Sequence, residues 1–184
     1  MKTNTLFLFF SCIFFSAYSQ EKFKISSIDI PKIGIFSSTR ELPISTAGLT
    51  TGFEIAASYK KDLIALEFEV SEGLNLVSDY NIYQYNFTLG RNLRISKSLL
   101  LQPSVGLGLF REKYRVGSID FKYGTSELGE YITSRTLGIP VKLKLLIEAT
   151  SFMTLGFAPS VNINPIATSY FSSISIHWHF KEIE

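Results

Sequence analysis

The chain has 184 residues, enough for a single domain. Charged residues make up only 18% against 46% apolar and 14% aromatic, while a soluble domain usually carries roughly 25% charged. A net charge of +2 with no basic run argues against a nucleic-acid partner.

The chain opens with a secretory signal pattern. Lys2 is a positive start, Leu6 to Phe15 is an apolar run, and Ala17-Tyr18-Ser19 supplies small residues for cleavage. The run is shorter than the about 20 residues of a spanning helix. Cleavage is expected after Ser19, which makes 1–19 a signal peptide and 20–184 one domain. Cys12, the only cysteine, lies inside the signal. A rival reading lipidates it, but Ile13-Phe14-Phe15 carry the apolar run past it. Without Cys12 the exported chain has no disulfide to stabilise it.

Beyond the signal the pattern is period two, the signature of strands with two unlike faces. A first strand is expected within Phe23 to Phe36. Its register is ambiguous, because Ile28 and Ile30 fall on one parity and Ile33 and Ile35 on the other. Phe53, Ile55, Ala57 and Tyr59 form the next apolar row, followed by Ile64, Leu66, Phe68 and Val70. Tyr83, Tyr85, Phe87 and Leu89 come next. Leu99 to Leu109 sets Leu101, Val105 and Leu107 against Gln102, Ser104, Gly106 and Gly108. Leu137 to Ile147 sets Ile139, Val141 and Leu143 against Gly138, Lys142 and Lys144. Leu155, Phe157 and Val161 form a seventh row, and Ile174, Ile176, Trp178 and Phe180 the last. Short connections at Lys60-Lys61-Asp62, Arg91 to Ser98 and Glu148-Ala149-Thr150 alternate with long ones at Ser37 to Thr50, Glu72 to Asn81 and Arg111 to Glu130, although the last on the long side, Asn162 to Ser169, is short. Transmembrane barrels show that alternation.

The expected fold is therefore all-β: an eight-stranded antiparallel up-and-down transmembrane β-barrel behind a cleaved signal peptide. The apolar rows carry large side chains and hardly a charge, as lipid requires. The opposite rows mix Gly, Ser and Thr with charges, which suits the crowded lumen of a narrow barrel. Glu54, Glu67, Glu69, Lys142 and Lys144 are expected to pair there as a structural ion network, because unpaired buried charge is costly. Tyr59, Tyr83, Tyr85, Trp178 and Phe180 are candidates for interfacial aromatic girdles. Pro103, Pro140 and Pro159 fall within proposed strands, so local bulges or rim positions are expected at each.

Two strands also carry a resemblance. Leu101-Gln102-Pro103-Ser104-Val105-Gly106-Leu107-Gly108 is similar to a Pro-x-x-Gly-x-Gly strand, and Leu137-Gly138-Ile139-Pro140-Val141-Lys142-Leu143-Lys144 to an Ile-Pro-x-x-x-Lys strand, of the small outer-membrane barrels of the Bacteroidetes, the PorT-type or OmpX-like group. The Ser19-Gln20 signal ending fits as well. The resemblance spans about residues 22 to 180 and implies an integral outer-membrane barrel with no catalytic residues to carry over. The chain departs from the group at its end, where Lys181-Glu182-Ile183-Glu184 follow the expected terminal aromatic, Phe180.

Little chemistry is written in the residues. His177 and His179 share a strand face, but with no third histidine and no cysteine after the signal they read as lumenal polar groups. No metal or other cofactor is expected. A lipid-modifying barrel enzyme would need Ser173 or Ser175 to meet a histidine and Glu67 or Glu69 near the outer leaflet. A soluble periplasmic lipocalin-like barrel would need the opposite orientation, with the Leu/Ile face inward around an apolar ligand. The leading expectation is a non-enzymatic outer-membrane barrel, structural or binding through its loops. Arg111, Lys113, Arg115 and Lys122, interleaved with Tyr114, Phe121 and Tyr123, make the longest loop a candidate contact for outer-membrane lipid, including lipopolysaccharide phosphates, or for a protein partner.

Overall fold

The computed structural model describes residues 24–41, 46–74, 79–115, 117–120 and 125–180. The expected signal peptide with Cys12, together with Lys122 and Lys181 to Glu184, lies outside them. The strands are β1 (Lys24–Ser38), β2 (Ala47–Tyr59), β3 (Asp62–Gly73), β4 (Tyr80–Arg91), β5 (Leu93–Arg94), β6 (Leu99–Tyr114), β7 (Gly117–Asp120), β8 (Thr125–Leu128), β9 (Ile132–Glu148), β10 (Met153–Ile163) and β11 (Thr168–His179). Eight of them close a ring in the order β1-β2-β3-β4-β6-β9-β10-β11, with every neighbouring pair antiparallel and β11 returning to β1. Closure leaves no free sheet edge among these strands, the condition for crossing lipid with β-structure. The two-residue β5 rides on the end of β6, and β7 and β8 form a separate hairpin between β6 and β9.

Side-chain alternation is inverted relative to a soluble barrel. Ile33, Leu107, Leu109, Leu137 and Ile174 are 50–66% exposed, while Glu54, Glu67, Glu69, Lys142 and Lys144 are 2–6% exposed. Leaving a Val, Leu, Ile or Phe in water forfeits about 1.5–3 kcal/mol of burial. Repeated around the ring, that loss makes a wall suited to hydrocarbon and not to water. The lipocalin-like alternative is overturned by the same observation: apolar concavities such as the one lined by Ile33, Leu145, Leu155 and Phe157 lie on the outer wall.

The ambiguous parity of β1 has a local cause. Both of its ladders shift register between Asp29 and Lys32, around the cis Ile30–Pro31 peptide bond. The irregularity resets the alternation. Asp29 and Lys32 both turn inward, at 2% and 3% exposure, while Ile30, Ile33 and Ile35 all face out. Of the three prolines expected at bulges or rim positions, Pro140 and Pro159 lie inside their strands without a bulge, while Pro103 lies at the end of a ladder. The β6–β9 ladder runs to Val105↔Val141 and resumes at Gly108↔Gly138 in the same register, skipping Pro140. The β9–β10 ladder likewise resumes unshifted after Pro159, and Pro103 lies just past the last β4–β6 pair, Gly90↔Ser104. A missing N–H interrupts one ladder, while pairing on either side of the gap holds the register.

β6 and β9 also run further than their apolar rows, to 16 and 17 residues. A tilted strand crosses the bilayer in about 9–11 residues, so both protrude at the end carrying the long connections. Hydrophobic alternation marks only the lipid-facing part of a strand, and backbone pairing continues beyond it. Inside, the lumen is layered. Ala56, Leu63 and Ala65 pack at the short-turn end, charges fill the middle, and Phe36, Tyr80, Ile82, Phe110, Tyr114 and Phe171 pack at the long-loop end. The wall is tight: a Cβ on inward Gly106 would stand 1.9 Å from the Phe87 carbonyl oxygen.

Candidate functional site

Two groups of charged side chains stand out, one inside the barrel and one on its rim. The inner group is a chain of alternating sign. Glu69 binds Lys32 at 3.0 Å, Lys32 also binds Glu67, and Glu67 binds Lys142 at 2.9 Å. Lys142 continues to Glu54, Glu54 to Lys144, and Lys144 to Asp29 at 2.7 Å. The chain ends where His177 Nδ1 meets Asp29 Oδ1. Thr50 donates to Glu69 at 2.6 Å and Asn86 to Glu67 at 3.0 Å, filling acceptor sites the lysines leave. Four carboxylates face three ammonium groups, and the His177 ring completes the contacts of Asp29. Ion pairing in a low-dielectric interior offsets desolvation only when remaining polar atoms are also satisfied, as the flanking hydroxyl and amide donors do here.

The structure thus brings Glu54, Glu67, Glu69, Lys142 and Lys144 into one network. Asp29, Lys32 and His177 belong to it too. Sequence pattern hid the first two behind the β1 bulge. Above the network, Tyr80 donates to Glu112 at 2.9 Å, and Arg40 Nε stands 3.2 Å from Glu112 Oε2, paired by charge without hydrogen-bond alignment. Arg40 follows β1, so this contact ties the first long connection to the lumen mouth.

The serines and histidines do not assemble as a nucleophile and base. Ser175 donates to Asp29 at 3.3 Å, Ser173 to the Ala158 carbonyl at 3.4 Å, and His179 meets Thr154 at 2.5 Å. Glu67 and Glu69 are taken up by lysines. Both histidines lie at the short-turn end of β11, opposite the end where a lipid-modifying site would face the outer leaflet. Among the described residues no cluster of three or more His, Cys, Asp or Glu side chains is arranged to hold a metal ion.

The rim group sits where β4, β6 and β9 leave the apolar band. Arg111 and Lys113 are on β6, not in the loop expected from Arg111 onward; Arg115 is the first residue after the strand, and Lys122 is outside the described residues. Their spacing of two continues the outward row of Leu107 and Leu109. Tyr83 and Arg111 are register partners, as are Arg111 and Arg135. One step lower, the same positions are Tyr85, Leu109 and Leu137. The Arg111 guanidinium lies 5.7 Å from the Tyr83 ring, Lys113 Nζ 3.9 Å from the Tyr131 ring, and the Arg115 guanidinium 4.7 Å from the same ring. These are cation–π distances. Arg115 binds Asp79 at 3.0 Å, and the Tyr131 hydroxyl donates to the same carboxylate at 2.6 Å. That hydrogen bond holds the Tyr131 phenol above its ordinary pKa. Sequence reasoning missed Arg135, although its parity with Leu137 and Ile139 was readable.

No protein-family model matches the chain, and no curated protein sequence does. Solved structures do match it. Neisserial surface protein A shares 12% identity and a TM-score of 0.63 over 87% of this chain and all of the other. Ail of Yersinia pestis, in a structure with the heparin analogue sucrose octasulfate, shares 12% identity and a TM-score of 0.55 over 85% of this chain and all of its own. The N-terminal barrel domain of Pseudomonas aeruginosa OprF gives 12% and 0.50 over 84% of this chain and 97% of that domain. The fold is that of the small outer-membrane β-barrels.

Proposed function

We propose that this protein is exported behind a cleaved signal peptide, resides in a bacterial outer membrane and acts there without catalysis, as a rigid barrel that presents a binding rim. The observation that carries this reading is the inverted polarity of the wall: apolar outside on all eight strands, ionic inside. The continuous ion network fills the middle of the lumen, so the reading assigns it to stability rather than conduction. Function then falls to the long-loop end, where Arg111, Lys113 and Arg115 face outward and the β7–β8 hairpin extends the connection. Outer-membrane lipid, including lipopolysaccharide, is the proposed contact, with a protein partner at the loops as a second. Ail, a barrel of the same fold, has been solved with a sulfated ligand, which is compatible with an anion-binding role for such a scaffold. The Pro103 segment of β6 and the Pro140 segment of β9 support placement in the PorT-type, OmpX-like group of the Bacteroidetes.

Fractionation of expressing cells, followed by gel migration with and without boiling, tests the reading. Recovery in outer membranes with a heat-modifiable band is expected. A soluble periplasmic protein whose migration ignores boiling would overturn it.

A further inference from the structure

We infer that Arg111 and Arg135 form a clamp for the phosphate of an outer-leaflet glycolipid, with Lys113 and Arg115 beside it. The inference rests on the outer-membrane reading above and names the ligand of that rim.

Arg111 and Arg135 occupy directly opposed register positions on β6 and β9, and both side chains face out. Like charges directly opposite in a sheet are destabilising. Among the residues whose side chains are described, which leaves out Asp120 and Glu127, no carboxylate pairs with Arg111, Lys113 or Arg135, and of the rim cations Asp79 binds Arg115. The Nε atoms of Arg111 and Arg115 are shielded from solvent and have no hydrogen-bond partner there. An unsatisfied, sheltered donor in a native fold calls for a missing partner.

The setting says what kind of partner. The pair stands one outward position above Leu109 and Leu137, which are 60% and 58% exposed and therefore in the apolar band. Two residues of strand rise about 7 Å, or about 5 Å along the membrane normal for a tilted strand, the step from acyl chains to headgroups. An anion at that height belongs to a lipid. Guanidinium groups bind phosphate through paired N–H donors, which an ammonium group cannot do. Tyr83 lies against Arg111, limiting the side-chain freedom lost on binding, while Tyr131 does the same for Lys113 and Arg115. On the opposite rim Arg94 is paired with Glu148, and Lys60 lies over the Tyr59 ring in the β2–β3 turn.

The test uses the full exported chain in phosphatidylcholine nanodiscs doped with bisphosphorylated lipid A or with its dephosphorylated form, with bound glycolipid counted by native mass spectrometry. The phosphorylated form should be retained about tenfold better, the scale of one or two charge-assisted hydrogen bonds. Arg111→Gln/Arg135→Gln should abolish that preference while the band stays heat-modifiable, and Lys97→Gln on the far rim should leave it intact. Arg135→Gln alone, an exposed change that spares the Tyr83 contact, should weaken the preference if the double variant does not fold. Equal retention of the two lipids, or a preference untouched by the arginine changes, would overturn the clamp. Displacement by inorganic phosphate at the lipid's own concentration would overturn the lipid as its source. A chain that never enters the membrane fraction sinks the parent reading instead, so the two failures are distinguishable.

Discussion

The lumen and the long-loop rim hold comparable sets of charged side chains and treat them in opposite ways. Inside, each lysine lies between two carboxylates, and hydroxyl and amide donors fill the remaining acceptor sites. On the rim, cations line one outward face, stacked on tyrosines, with Asp79 alone of opposite sign among the described contacts. The difference teaches where charge serves the fold and where it is held ready for something else. Desolvated charge must be matched within the molecule, because an uncompensated one would unfold it. Charge at the water and headgroup boundary is screened and can await an external partner.

Removing one member of each set breaks or sharpens this comparison. The largest effect is expected for Lys142→Met, which leaves Glu54 and Glu67 with one lysine each and the buried layer one positive charge short. Breaking a buried pair from one side costs about 3–5 kcal/mol, visible as a large fall in the urea midpoint of unfolding from micelles. A midpoint unchanged within error would mean that the lumen is hydrated and the network incidental.

Tyr80→Phe should cost less. It takes one donor from the fully buried Glu112 but leaves Arg40 nearby. A loss of about 1–3 kcal/mol is expected, measured by the same unfolding assay. Glu112→Gln in the Tyr80→Phe background should recover part of it, since the stranded charge is then gone.

Arg111→Gln should change stability by no more than about 0.5 kcal/mol, as surface substitutions usually do, while altering lipid retention. A stability loss matching that of Lys142→Met would erase the distinction between the two regions.

The smallest effect is a titration. The hydrogen bond from Tyr131 to Asp79 raises the phenol above its ordinary value, so the bond's contribution is present at neutral pH and is lost as pH climbs through the raised value. Asp79→Asn should move the Tyr131 midpoint downward, read by the phenolate absorbance band or by tyrosine NMR. An unmoved midpoint would remove Asp79 as the cause.

Much of the architecture was legible in the residues. Leu137 through Ile147 and Ile174 through Phe180 declare two-faced strands by alternation alone, and the small and charged residues opposite them declare a filled interior. Glu54 and Lys142 could be read as inward by parity, but not as neighbours, since 88 residues separate them. Arg111 and Lys113 read as loop residues in the sequence, because nothing in an apolar pattern marks a strand after it leaves lipid.

By itself, then, the sequence determined that the strands are two-faced and which face meets lipid, because alternation is a local consequence of backbone geometry. Tertiary structure alone decided who pairs with whom. It turned Asp29 and Lys32 to the same side through the β1 bulge, carried the β6–β9 and β9–β10 ladders past Pro140 and Pro159 without a slip, and set Arg111 opposite Arg135. Those outcomes depend on strand register, and register is the joint result of ring closure and ladders between distant segments, which no local pattern contains.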